Sequence, residues 1–209
     1  MKAFVIMGRT LKAVYDELFL CVFLSVMWWL GTILILPAAP ATMGLHHVAN
    51  RVANYKRVDN SFFWEAARQH IGRGWILYLL NLVVPAALLF NCWFYLNTQG
   101  WLRMFGIFWF WLFVVSLMVG QYVFPLFWQQ DEPSIKLAWR NAAILALRHP
   151  LYTFLLLLFQ LVLIVASVAL TLPLFLLLPA LIAFSANIGL VGLLQEMGLA
   201  PQPPQVPPR

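Results

Sequence analysis

Leu36–Arg57 reads LPAAPATMGLHHVANRVANYKR. An apolar run meets Pro37 and Pro40 here, and proline lacks the backbone N–H and disfavours helix in the residue before it. The spacing predicts a structural turn over 37–44, with Pro37, Pro40 and Gly44 as its defining residues. An amphipathic, basic helix then runs towards Arg57. Ala38, Ala39, Ala41 and Gly44 carry almost no side chain, so a neighbouring helix can approach closely and satisfy the carbonyls that proline frees. The rest of the chain repeats the scheme: a hydrophobic helix stops, the chain lies along the membrane face carrying Arg and Lys, and it re-enters.

Composition agrees. With 63% hydrophobic and 10% charged residues, the chain lies outside the range of soluble domains, where about a quarter of residues are charged. It is an all-α, polytopic membrane bundle. A length of 209 residues, divided into spans of about 20, leaves room for about five transmembrane helices and two interfacial amphipathic elbow helices. Residues 1–200 form one transmembrane domain. Residues 201–209, PQPPQVPPR, read as a Pro-rich disordered tail, because proline excludes helix. The net charge of +6 comes from cations flanking apolar runs, so the expected partner is a bilayer with anionic headgroups and not nucleic acid. Cys21 and Cys92 fall inside apolar runs and suggest neither a disulfide framework nor a zinc site.

Along the chain, residues 1–17 suit a short interfacial helix or one that runs straight on into the first span, 18–36. A cleaved signal peptide is rejected: the apolar run exceeds 7–15 residues, and Asp16 and Glu17 stand directly before it. Residues 46–73 are polar and basic, with Asp59-Asn60-Ser61 as a helix start, and form the first elbow. Spans follow at 75–95 and 106–124, the second ended by Pro125. Ser134 opens the second elbow. The uncharged 151–194 must fold back once, at Thr171-Leu172-Pro173, and Pro179 kinks or re-divides its last span. A shift of 75 positions pairs Trp64 with Trp139, Ala67 with Ala142 and Arg73 with Arg148, and Leu36-Pro37-Ala38 returns as Leu178-Pro179-Ala180. Trp64, Arg68, Arg73, Trp139, Arg140 and Arg148 are the candidate interfacial, lipid-facing residues. With both elbows cytoplasmic, five spans put the N-terminus outside and the C-terminus inside.

Trp28-Trp29-Leu30-Gly31, Leu36-Pro37, Pro40-Ala41-Thr42-Met43-Gly44-Leu45 running into Asn50-Arg51, and Phe62-Phe63-Trp64 together resemble the YesL-like family of bacterial membrane proteins (domain of unknown function 624). The resemblance covers roughly residues 18–194. It implies a bacterial inner-membrane protein of about five spans, and a role near carbohydrate uptake, because members often sit beside such genes. It supplies no catalytic residue.

The polar candidates are His46, His47, Asn50, Asp59, Glu65 and His70. Adjacent histidines point about 100° apart on a helix, so His46 and His47 lack the one-faced i, i+4 geometry of a metal pair. They are expected to be interfacial side chains whose removal is nearly silent. No ionisable group lies in the inner part of a span, where an intramembrane enzyme or an ion-coupled carrier needs one. No enzyme, cofactor or metal is therefore expected. Asn81, Asn91, Gln121, Gln160 and Asn187 are the amides within spans, suited to interhelical hydrogen bonds or to a polar substrate path. Two readings remain: a non-enzymatic accessory or scaffold protein bound to a membrane transporter or to its own copies, and a small-solute transporter.

Overall fold

The computed structural model describes residues 2–202. Among them are ten α-helices and no strand. They fall into three units of one design. The first is α1 (Lys2–Asp16), α2 (Leu18–Ile33) and α3 (Ala38–Ala53). The second is α4 (Ser61–Gln69), α5 (Ile71–Leu96) and α6 (Met104–Gln129), with a 3₁₀ turn, Gly100–Arg103, before α6. The third is α7 (Ile135–Arg148), α8 (Pro150–Leu170), the short α9 (Leu172–Leu176) and α10 (Leu178–Glu196).

Each unit is an amphipathic elbow followed by a hairpin, and one residue makes each corner. Glu17, His70 and His149 have φ/ψ of −111°/35°, −131°/43° and −127°/58°. All three lie outside the α region and each breaks the i→i−4 ladder at a single point. At Glu17 the result is a 90° bend between α1 and α2, so α1 does not continue straight into the first span. The returning helices α3, α6 and α10 pack against one another at the centre, each flanked by its own outgoing helix. Helix α10 is buried on nearly every side, from Pro179 to Gln195, which is why its sequence shows no apolar stripe.

Helices α5, α6 with its 3₁₀ turn, α8 and α10 are long and apolar enough to cross a membrane, and the bent α1–α2 pair makes a fifth. The expected multi-pass bundle is present. Helices α2 and α3 have 16 residues each, about 24 Å, which is short of the roughly 30 Å hydrocarbon layer.

Several boundaries differ from expectation. The predicted turn at 37–44 lies earlier, at 34–37. Pro37 caps α3 and Pro40 sits in its first turn, where a missing N–H costs nothing because those donors have no helical partner anyway. Gly44 is buried in mid-helix. An added Cβ there would lie 2.7 Å from both Cδ2 and the carbonyl oxygen of Phe63, so the small residues do admit a close neighbour, the α4 elbow. Consequently α3 is a core helix and the first elbow is α4 alone. Pro125 does not end the third span: α6 continues to Gln129. Pro179 stands in the first turn of α10 and not at a kink. The bend foreseen at 171–173 is present, with Thr171 at φ 57°. The corners His70 and His149 fix a register other than the 75-residue shift, which explains why Trp64 is exposed while Trp139 packs against the core. The Pro37 and Pro179 repeat marks equivalent points, the starts of two inner helices.

The two ends of the bundle differ sharply. At one end Arg9 of α1 donates to Oε1 of Gln195 (3.3 Å) and covers the ring of Tyr55 at 5.4 Å. At the same end Arg73 donates to the carbonyl of Pro133 (3.0 Å). The N-terminal helix therefore lies at the same end of the bundle as both elbows. Every charged residue from Lys2 to Glu196 apart from Arg103 lies in an elbow or close to that end. At the other end the apolar tips 33–36 and 170–177 meet: Trp29 stacks near Phe175 (5.8 Å) and its indole N–H donates to the carbonyl of Leu174 (3.2 Å). Of the tail, Pro201 and Gln202 are tied to α10 through Gln195, and 203–209 lie outside the described residues.

Candidate functional site: a histidine and amide seam between the inner helices

On α3, His46, Asn50 and Asn54 recur at four-residue spacing and so share one side of the helix. That side faces α6 and α10. The His46 ring stacks on Phe124 of α6, with centroids 4.9 Å apart and planes 14° from parallel. Asn187 of α10 is fully buried and donates through Nδ2 to Nδ1 of His46 (3.1 Å) and to the carbonyl of Ala183 (2.8 Å). An amide nitrogen only donates, so Nδ1 accepts and the imidazole proton sits on Nε2. One turn further towards the charged end, Gln129 Oε1 accepts from Asn50 Nδ2 (3.0 Å) and Asn54 Nδ2 (3.1 Å). Three inner helices are thus joined by a ladder of neutral polar groups.

His47 leaves this stripe and enters an aromatic cluster. Its ring is 4.4 Å from Trp128 and 6.5 Å from Phe62. His70, the corner residue, lies against Phe127 (5.7 Å) and Trp128 (5.9 Å). Burial and the nearby Arg73 lower the pKa of His70. Arg51 closes the cluster: its guanidinium lies 3.6 Å over Phe62 and donates twice to the carbonyl of Arg57.

The three histidines are therefore not free interfacial side chains. Sequence reasoning named His46, His47 and Asn50 but missed the stripe. The signal was the His46–Asn50–Asn54 spacing, masked by reading the helix as a surface elbow. The seam offers donors, acceptors and aromatic faces, and no carboxylate takes part in it. Among the described residues no three His, Cys, Asp or Glu side chains gather as a metal-holding group.

The other span amides have separate partners. Asn81 donates to the carbonyl of Gly120 across α5–α6 (3.4 Å), and Gln121 to that of Thr153 across α6–α8 (3.1 Å). Asn91 turns back onto Ala87 of its own helix. Buried Gln121 Oε1, Gln160 Nε2 and Asn187 Oδ1 have no partner among the described residues.

Of the residues expected at the lipid interface, Trp64, Arg68, Arg73, Arg140 and Arg148 are exposed on the elbows or their corners. Trp139 is half-buried against the core, with its N–H enclosed. Helix α4 buries Phe63, Ala66 and Ala67, and α7 buries Ala138, Ala142, Leu145 and Ala146. Small side chains hold both elbows tight against the bundle. Comparison with protein-family models, curated proteins and solved structures returned no match.

Proposed function

We propose that this chain is a non-enzymatic accessory or scaffold protein of the bacterial inner membrane that works beside a transport system, carbohydrate uptake being the one its resemblance to the YesL-like family suggests. The observation that carries this reading is the uneven cover of the helices. Helix α10 is enclosed, whereas the outer half of the α5–α6 hairpin projects with Phe90, Trp93, Phe108 and Trp111 more than half exposed. A partner's transmembrane helix can pack there without disturbing the bundle. The seam supports the same reading, since its amides and imidazole are engaged in holding helices together.

The charged end belongs in the cytoplasm on this reading, because cytoplasmic segments carry the excess of Lys and Arg. Both termini are then cytoplasmic, and the elbows lie on anionic headgroups. Photocrosslinkers at Trp93 and Phe108 in living cells test the proposal. A discrete adduct with a transport protein is expected, absent when the crosslinker replaces buried Tyr122. Adducts with lipid alone overturn it.

A second reading, a small-solute transporter, draws on Gln121, Gln160 and Asn187, whose unpaired buried atoms suit a polar path. Uptake into vesicles containing only this protein decides for it.

A further inference from the structure

A groove of about 370 Å³ runs between α6, α7 and α8. Trp111, Val115, Met118, Ala146, Pro150 and Phe154 are among its walls, and no polar side chain lines it. Along α6 it extends from Trp111 to Met118, about 10 Å at 1.5 Å per residue. Its upper end is at Trp111, on the exposed outer half of the α5–α6 hairpin. Its lower end is the α7–α8 corner, where Leu147 and Pro150 line the mouth and exposed Arg148 stands between them in sequence.

The charge of α7 sets this corner apart. Residues 135–148 contain Lys136, Arg140 and Arg148 and no Asp or Glu, whereas α4 contains Glu65 and α1 contains Asp16. Lys136, Arg140, Ile144 and Arg148 repeat at four-residue intervals and are exposed, so one face of the elbow presents cations, and Arg148 directly follows Leu147 of the slot.

We infer that the groove seats an acyl chain of a phospholipid whose anionic headgroup is held by Arg148. An apolar slot meets the chain, the exposed Arg148 meets the phosphate, and the two stand in the order in which a lipid presents them. The inference deepens the reading of the elbows as lipid-binding helices and adds one defined site. Groove and cation are needed together, because the slot alone has no headgroup preference and the cation alone holds no chain in place.

The full chain, reconstituted in phosphatidylcholine vesicles, is exposed to trace phosphatidylglycerol or phosphatidylcholine carrying a diazirine in one acyl chain. Phosphatidylglycerol is expected to label Met118 and Phe154 in preference. Arg148→Gln should lower that labelling about fivefold, the effect of one cation near an anionic surface. Val115→Trp, which fills the slot from its wall, should abolish it. Should that variant fail to fold, Leu151→Trp at the exposed mouth repeats the test. Equal labelling by the two lipids, or labelling unchanged by the tryptophan, overturns the inference. Lys136→Gln with Arg140→Gln, away from the mouth, tests the broader elbow reading: it should weaken the protein's general preference for anionic lipid and leave the groove labelled.

Discussion

Asn187 on α10 donates from Nδ2 to Nδ1 of His46 on α3 across 3.1 Å, at the point where the three inner helices converge. The pair is the expected keystone of the bundle. Removing one member leaves a polar group of the other without its interhelical partner, although Asn187 keeps its bond to Ala183, and such a loss costs about 1–3 kcal/mol. Asn187→Leu and His46→Leu should each lower the thermal midpoint in mild detergent, and the double variant should lose less than the two together. Strict additivity would show that the contact contributes nothing. The His46 ring is also stacked on Phe124, so its loss removes packing as well as the bond.

Two glycines should respond to alanine with opposite sign. At Gly44 the new Cβ meets Phe63 at 2.7 Å, against both ring and backbone, and overpacking of this kind costs about 1–3 kcal/mol. At Gly72, in the first turn of α5, it meets nothing within 4 Å, so Gly72→Ala should stabilise by about 0.5–1 kcal/mol. Thermal melts of the two variants settle the matter, and a destabilised Gly72→Ala would count against the placement of α5.

The shared face of α1 and the elbows is accessible to labelling. In a chain lacking Cys21 and Cys92, single cysteines at Gly8 and Gln130 should react from the cytoplasmic side, and one at Gln99 from the outside. Reaction of the Gly8 and Gln99 cysteines from the same side would break the three-unit arrangement.

Asp59 sets the start of α4. The Ser61 N–H donates to its Oδ1 at 2.6 Å, and that bond, with Arg57 nearby, holds the carboxyl below its usual range. A depressed pKa means a contribution present above the ordinary carboxylate pKa and lost as pH falls through the lowered one. The Ser61 amide resonance should therefore titrate below about 3.9, the unperturbed aspartate value. A midpoint at or above that value refutes the Ser61–Asp59 bond.

The membrane class, the elbows and the return at Thr171 were legible because each depends on local chemistry: apolar length, amphipathic spacing, proline. The role of α3 was not. Its two prolines fall before and within the first turn, positions a helix tolerates, and its polar residues look like surface until α6 and α10 are placed against them. Pro125 misled for a related reason, since a buried helix carries its freed carbonyl among neighbours. That α3 returns the chain to the charged end is a tertiary fact, which hydropathy alone does not register.

The three corners at Glu17, His70 and His149 bear on how such a chain is made. Each unit leaves the charged end of the bundle and comes back to it, so its first and last residues lie at one end. The chain can thus be laid down one closed loop at a time, each unit starting from the end where the one before it finished. Gain or loss of a whole unit would leave the helices after it pointing as they did.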